Sequence, residues 1–303
     1  MDDIDAGIIE ELRRDGRIGQ GELATKLGIS RPTASKRLNT MLDSGIIRIV
    51  GVAHPSMLGI NSVAHVSIDV DQPIRRVAAA IADLDDVVFV SLTSGRYPMV
   101  AEIRSIDDEA LARALDVLRS VDGVRDTDTL VYTDLVIDVL RSVKIPTVSI
   151  DRLDVDLMKM LREDGRASYL ALGEKADVSA GTARARVLRL INEGVLRVGA
   201  LSRPGTEERV IPMGVGIRVR GKASAVSDQL VDLPGIRFLA ATLGRYDLIG
   251  TVHSSDLAGT IGLVDRIRGL RSVLEIHSWV HVETVKEFYH YAPVGPLAQR
   301  AQP

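Results

Sequence analysis

DAGIIEELRRDGR at residues 5–17 and DVDLMKMLREDGR at residues 154–166 are two versions of one stretch of sequence. A second pair follows at the same spacing: ISRPTASKRLNTMLDSGIIR begins at residue 29 and VSAGTARARVLRLINEGVLR begins at residue 178. Both pairs are offset by 149 residues, and about a third of their aligned positions are identical. The fold that one copy adopts is therefore expected a second time in the same chain.

The offset holds to the end of the repeat, because TSGRYPMVAEIRSID at residue 93 aligns with TLGRYDLIGTVHSSD at residue 242. A solenoid repeats every 20 to 50 residues, so a longer period predicts a duplicated unit of two domains. The seam is expected at Lys144, Ile145 and Pro146. The predicted domains are residues 1–52, 60–142, 150–203 and 210–291.

Composition narrows the function classes. The 303 residues contain no cysteine, which excludes disulfides, thiolate catalysis and cysteine-bound zinc. The acidic N-terminal sequence MDDIDAGIIEELRRDG has no apolar core of a signal peptide, and no apolar run approaches the length of a membrane span. We therefore expect a cytoplasmic protein without a membrane partner. A net charge of -3 requires that any nucleic-acid binding come from locally placed charge.

The first domain of each unit has the pattern of a helix-turn-helix. Apolar residues recur at helical spacing from Ile4 to Leu12, a short helix ends at Gly28, and Ser30 caps a third helix with Pro32 in its first turn. The outer face of this third helix is basic and carries amides, and residues 30–39 and 179–189 contain no acid. Such a helix is typical of one that enters the DNA major groove.

The expected DNA-binding residues lie on the two third helices: Ser30, Arg31, Thr33, Ser35, Lys36, Arg37, Asn39, Thr182, Arg184, Arg186 and Arg189. For Arg37 and Arg186 a structural role is an equal alternative, in which they hold the first helix through Asp15 and Asp164. A protein-binding winged helix with a solvated basic face is the other alternative for the whole domain.

The second domain of each unit has the element order βαββαβ, which predicts a ferredoxin-like sandwich. The fold class is therefore α+β: a tandem duplication of a winged helix-turn-helix domain followed by a ferredoxin-like domain. The helices cover one face of each sheet, so we expect the two sandwiches to pair within the chain, which makes it a pseudo-dimer. Chains are expected to associate further into homo-oligomers.

The middle hairpin of each sandwich, Ser94 to Tyr97 and Leu243 to Asp247, contains a glycine that leaves backbone amides open to a ligand carboxylate. A simple turn is the alternative. Pro98 stands where copy two has Asp247, so the two pockets are expected to be unequal.

The DGR after the first helix, the GIS and GII blocks and the G-x-Y-D hairpin together resemble the Lrp/AsnC family of transcription regulators. The resemblance covers nearly all of both units. It implies double-stranded DNA and a small amino-acid-like effector as partners, with the effector held between paired hairpins. The residues that carry over to this role are Gly95, Tyr97, Gly244, Tyr246 and Asp247, and the neighbouring Arg96 and Arg245 complete the expected effector-binding residues. It implies neither enzyme activity nor a cofactor or metal.

Two other classes stay open. The chain could be a metabolite sensor or scaffold that does not bind DNA. It could also be an enzyme like the haem-precursor decarboxylases, which resemble some relatives of the family. His277 and His281 point to one face of a strand, but no HExxH motif or nucleophile elbow is present.

Overall fold

The computed structural model describes residues 2–54, 57, 59–138, 148–202, 212–254 and 256–287. The predicted seam at residues 144–146 lies outside them. In the first half of the chain the order of elements is α1 (Asp3–Arg14), α2 (Gln20–Leu27), α3 (Arg31–Asp43), β1 (Ile47–Ala53), β2 (Ser62–Val70), α4 (Ile74–Ala82), β3 (Val87–Thr93), β4 (Met99–Ser105), α5 (Asp108–Arg119) and β5 (Val124–Ile137).

The second half has the same order of elements. It consists of α6 (Arg152–Glu163), α7 (Tyr169–Lys175), α8 (Ala180–Asn192), β6 (Leu196–Ser202), β7 (Met213–Val219), α9 (Ala223–Val231), β8 (Ile236–Leu243), β9 (Leu248–Val252), α10 (Leu257–Arg268) and β10 (Val273–Glu287). The expected winged helix-turn-helix and ferredoxin-like orders are thus both present. No helix among the described residues is both long and apolar enough to cross a membrane.

The chain divides into two compact units. The reader unit comprises residues 2–54, 57 and 148–202, and the barrel unit comprises residues 59–138, 212–254 and 256–287.

In the reader unit the two winged helix-turn-helix halves, each of which we call a reader, share one sheet and one core. β1 and β6 pair antiparallel, with Val50 opposite Gly199. A single apolar cluster contains buried residues of both halves, among them Leu12, Leu38, Leu161 and Leu190. Because neither half closes a core of its own, the two form one folding unit.

In the barrel unit the strands close in the order β10-β3-β4-β2-β5-β8-β9-β7. Each sandwich supplies four neighbouring strands, and the two sheets join at their edges through β5–β8 and β10–β3. Full closure leaves neither sheet with a free edge. We call the face of this sheet away from the helices the barrel interior.

Strand alternation separates two kinds of surface in the barrel unit. Ala64, Val66 and Ile68 pack into the core of the first sandwich, so His65 and Ser67 between them face the barrel interior. The second sandwich has an equivalent core, and a smaller cluster that includes Leu130 and Tyr246 packs separately from both. The barrel interior thus combines apolar and polar side chains.

Candidate DNA interface and effector site

The third helices α3 and α8 begin with the same cap. The Ser30 hydroxyl accepts a hydrogen bond from the Thr33 amide at 3.2 Å, and Ser179 accepts one from the Thr182 amide at 3.0 Å. Serine is a preferred N-cap because it satisfies an amide that the helix leaves unpaired. The hydroxyls of Ser30 and Thr33 also bond to each other at 2.7 Å, which engages both residues in the cap.

The exposed face of α3 carries the predicted basic and amide groups. Arg31, Lys36 and Asn39 are exposed, and Ser35 is half-buried. On α8 Arg184, which aligns with Ser35, is an exposed cation. Within the described residues no acidic side chain forms an ion pair with Arg31, Lys36 or Arg184. These cations are therefore free to meet a phosphate or a base edge.

Other arginines of the third helices hold the first helices instead. Arg37 Nη1 donates to Asp2 Oδ2 at 2.7 Å and to Asp5 Oδ1 at 2.8 Å. The hydrogen bond from the Asp5 amide and the Arg37 guanidinium both lower the pKa of Asp2. Because both carboxylates already accept from it, Arg37 acts as a brace between α3 and α1.

Copy two has the same brace with one more arginine. Arg186 Nη1 donates to Asp151 Oδ2 at 2.7 Å, and Arg189 pairs with the fully buried Asp154. The predicted partners for this role, Asp15 and Asp164, are therefore wrong. Those two carboxylates accept from the amides of the residues two positions on, at 2.8 and 2.9 Å, and so form the turn after each first helix.

The Asp-Gly-Arg turns of the two readers are joined by reciprocal hydrogen bonds. Arg17 donates to the carbonyls of Gly165 and Ala167 at 2.7 and 2.9 Å, and Arg166 donates to those of Gly16 and Ile18 at 3.2 and 3.1 Å. Burial, and then the charge of Arg17, lower the pKa of Arg166. Each reader thus supplies the guanidinium that satisfies the other reader's turn.

The two glycines of these turns allow the readers to approach closely. The Gly16 amide donates to Val198 O at 2.9 Å, and the Gly165 amide donates to Ile49 O at 2.8 Å. A Cβ on Gly16 would lie 2.8 Å from the Gly199 backbone, and one on Gly165 would lie 3.0 Å from the Ile49 backbone. A side chain at either position would therefore push the wing strands apart.

The middle hairpins of the barrel unit have matching hydrogen bonds. The Thr93 hydroxyl donates to Tyr97 O at 2.8 Å, and the Thr242 hydroxyl donates to Tyr246 O at 2.7 Å. Gly244 has a φ of 144°, a conformation that L side chains rarely adopt. The repeated sequence thus builds the same turn twice.

The two hairpins meet around one side chain, Arg245. Its Cζ lies 4.8 Å from the ring centroid of Tyr97 and 4.8 Å from that of Tyr246. Its Nη2 donates to Ser67 Oγ at 3.1 Å, and its Nε lies 3.3 Å from Asp128 Oδ1. A guanidinium between two aromatic rings is held in both position and orientation.

Asp247 serves its own hairpin. Its Oδ2 accepts from the Val219 amide at 2.8 Å, and its backbone amide donates to Ile217 O at 2.9 Å. This predicted effector-binding residue thus ties the hairpin to the end of β7. On the copy-one hairpin Arg96 is exposed, with its Cζ 5.2 Å from the Tyr97 ring.

An aromatic and imidazole cluster adjoins the hairpins in the barrel interior. The Trp279 ring lies 6.0 Å from His65 and 6.5 Å from His281, and His281 Nδ1 lies 3.0 Å from Ser91 Oγ. Burial lowers the pKa of His65 to about 3, and the nearby charges of His281 and Arg245 act in the same direction. Burial lowers the pKa of His281 to about 4. Both imidazoles are thus neutral at pH 7.

A buried ion cluster lies on the same face of the first sheet. Arg104 donates to Glu102 Oε1 at 2.6 Å and to Asp138 Oδ1 at 2.9 Å, and all three residues are at least nine-tenths buried. Tyr132 donates to Glu102 Oε2 at 3.1 Å. Burial raises the pKa of Glu102 despite its arginine partner. Within the described residues no cluster of three or more His, Cys, Asp and Glu side chains is arranged to hold a metal ion.

Comparison with known proteins matches three parts of the chain to family models. Residues 1–48 match the winged helix-turn-helix DNA-binding model, residues 63–139 match the Lrp/AsnC ligand binding domain, and residues 150–191 match the AsnC-type helix-turn-helix domain. The HTH-type transcriptional regulator FL11 of Pyrococcus furiosus is 34% identical over 133 residues, which cover 43% of this chain and 88% of that protein. The chain belongs to the Lrp/AsnC family. Its relatives in the family are DNA-binding transcription regulators.

One solved structure shares the fold of nearly the whole Lrp/AsnC chain. The siroheme decarboxylase NirDL matches with a TM-score of 0.61 at 15% identity, covering 94% of this chain and 93% of that one. The same protein in complex with an iron-uroporphyrin III analogue matches with a TM-score of 0.60 at 15% identity, covering 95% of each chain. At this identity the likeness concerns the fold alone.

The structure thus sorts the residues proposed for this Lrp/AsnC chain. It leaves Arg31, Lys36, Asn39 and Arg184 exposed on the third helices, whereas Arg37, Arg186 and Arg189 hold the first helices. It also brings Tyr97, Arg245 and Tyr246 together.

Sequence reasoning missed the β-strand residues beside the hairpins, namely Asp128, Ser67, His65 and Trp279. One signal was available, because the two copies differ at these positions. At the offset of 149, Asp128 aligns with His277 and Ser67 aligns with Gly216.

Proposed function

We propose that this chain is a sequence-specific DNA-binding regulator whose two readers act as one body and whose barrel unit responds to an amino acid or related metabolite. The observation that carries the proposal is the pairing of two winged helix-turn-helix readers with exposed cations on their third helices. Fixed pairing of two readers suits two half-sites on one duplex.

We further propose that the two halves arose by tandem duplication and that the four domains follow the predicted boundaries. The constant offset of 149 residues and the repeated order of elements support this. The coverage of FL11 supports it as well, because 43% of this chain matches 88% of that regulator. One chain thus has room for two such units.

Copy one is proposed to read bases more strictly than copy two. Asn39 can form two hydrogen bonds with an adenine edge, a contact that discriminates by roughly 1–3 kcal/mol. Leu188 at the corresponding place of α8 offers only apolar contact. A footprinted operator should therefore have one well-defined half-site and one degenerate half-site.

The test is a titration of genomic DNA fragments with the intact chain at several salt concentrations. If Lys36 contacts a phosphate, Lys36→Ala lowers the slope of log affinity against log salt by about one. Arg37→Ala is the matched control on the same helix, because it removes an equal charge from a side chain already bound to Asp2 and Asp5. An unchanged slope for Lys36→Ala would remove that residue from the interface.

The same titration separates the regulator from a scaffold. A scaffold that does not bind DNA shows no salt-sensitive sequence preference, whereas the proposed regulator enriches particular fragments.

Association of chains into homo-oligomers is also proposed, and sedimentation of the intact chain at several concentrations measures it.

A second candidate function is tetrapyrrole decarboxylation, and two observations favour it. The fold similarity to NirDL extends over nearly the whole chain. The barrel interior also holds the neutral imidazoles of His65 and His281 beside Trp279. To test this candidate, the protein is titrated with an iron tetrapyrrole and the absorbance is recorded. A DNA-binding regulator that responds to an amino acid leaves the tetrapyrrole spectrum unchanged.

A further inference from the structure

The third helix of the copy-two reader carries a different kind of outer face from the third helix of copy one. We propose that Ala185 and Leu188 of α8 form a recognition site for the methyl groups of thymine in the DNA major groove. The copy-two reader then selects its half-site by thymine methyl groups and not by hydrogen bonds from an amide. This inference rests on the proposed DNA-binding function and names the base that the second reader recognises.

The outer positions of the two helices can be compared one by one. Residues that are three, four and seven positions apart lie on one face of a helix. On α8 four residues share such a face: Gly181, Arg184, Ala185 and Leu188. At the offset of 149 their counterparts on α3 are Pro32, Ser35, Lys36 and Asn39. The two readers therefore present two different sets of side chains from the same positions.

The exposed polar groups of α3 have apolar counterparts on α8. Lys36 aligns with Ala185, and Asn39 aligns with Leu188. Arg31, which is also exposed on α3, aligns with another alanine. A single apolar residue on a protein surface is common and needs no explanation. Here three aligned positions change together, so α8 has lost the donors that α3 offers to DNA from these places and carries hydrocarbon groups there instead.

The packing of the reader unit does not account for Leu188. Its neighbours Val187 and Leu190 are fully buried in the shared core. Leu188 is half-buried, and within the part of the chain that the structure describes it is not one of the residues that pack on that core. Ala185 is exposed. Both side chains are thus available to a partner that offers an apolar group.

The position of α8 in the fold limits what that partner can be. Residues 150–191, which contain Ala185 and Leu188, match the AsnC-type helix-turn-helix domain, and the last helix of such a motif enters the major groove. Thymine is the one base that presents a methyl group there, and apolar side chains such as alanine are its usual contacts. Arg184 is exposed on the same face and can hold the helix against a phosphate. The thymine methyl group is therefore the part of a base that fits this face.

Replacement of thymine by uracil tests the inference, because it removes the methyl group and leaves the base-pairing edge unchanged. The probe is the tightest duplex recovered from the genomic fragments, synthesised with uracil for thymine in one half-site at a time. Asn39→Ala assigns the half-sites, since it relaxes base preference in the copy-one half-site only. Uracil in the other half-site should weaken binding of the natural chain about fourfold for each contacted methyl group. The salt slope should stay the same, because no phosphate contact is lost.

Leu188→Asn then connects the methyl groups to one side chain. It installs the residue that α3 has at this place, so the loss of affinity caused by uracil should shrink about fourfold, as a double-mutant cycle measures. Leu170→Asn is the matched control, because it makes the same change at a leucine that is 61% exposed on α7, away from the outer face of α8. The effect of uracil should be the same in this control as in the natural chain. Circular dichroism of each variant establishes that it is folded.

The outcomes separate this inference from the proposed function. If uracil in the copy-two half-site leaves the affinity of the natural chain unchanged, the inference is overturned while sequence-specific DNA binding stands. The same holds if the full effect of uracil persists in Leu188→Asn, since the methyl groups then act through the shape of the duplex or through other residues. If no genomic fragment is selected at all, the proposed DNA-binding function fails, and this inference fails with it.

Discussion

Gly16→Ala tests whether the close approach of the two readers holds the reader unit together. The added Cβ would lie 2.8 Å from both Cα and N of Gly199, whereas carbon atoms in contact prefer about 3.5–4.0 Å. The obstacle is backbone and cannot rotate away, so β6 must shift by most of an ångström. Overpacking of this kind costs about 1–3 kcal/mol. The shift would also strain the bond from the Gly16 amide to Val198 O.

The assay is urea unfolding followed by far-UV circular dichroism, with Gly21→Ala as the control. Gly21 is exposed on α2 and has no atom within 4 Å of its added Cβ, so alanine there should stabilise the helix by up to about 1 kcal/mol. Trp279 is the chain's sole tryptophan, and its fluorescence establishes that the barrel unit is folded in both variants. Equal unfolding free energies for Gly16→Ala and the natural chain would refute the argument.

The remaining predictions concern the barrel unit. Arg104→Met leaves two buried carboxylates without their cation, so it should destabilise the chain by about 3–5 kcal/mol in urea unfolding, and a loss below 1 kcal/mol would contradict this. His65 and His281 have pKa values lowered to about 3 and 4, whereas in the unfolded chain they titrate near 6.5. Between pH 6.5 and 4 the unfolded state therefore binds more protons, so the unfolding free energy should fall as the pH falls through this window, and His65→Asn with His281→Asn should reduce that slope. Unfolding by urea at pH 7, 6 and 5 measures it, and equal slopes would rule out both histidines as the cause.

The repeat and its helical periodicity were enough to predict the fold order. Capping residues such as Ser30 placed the start of α3 correctly, because a cap is a local interaction that sequence spacing reveals. The middle hairpins were placed well for the same reason, since Gly244 adopts a backbone conformation that favours glycine.

The partners of charged side chains were harder to predict, because they depend on how helices and strands pack. Arg37 lies 35 residues from Asp2 in sequence and meets it only through the packing of α3 on α1. Arg245 and Asp128 belong to different copies, and only the β5–β8 pairing brings them together. At the offset of 149 Asp128 aligns with His277, so the pair is not repeated and the repeat does not reveal it.

The pairing of β1 with β6 lies within a single chain, and this changes how the readers respond to dilution. Two separate chains that paired through such a strand would come apart at concentrations below their dissociation constant. Here the encounter is intramolecular, and the linking chain sets a fixed effective concentration. A cell holding only a few copies of this protein would still present every reader with its partner.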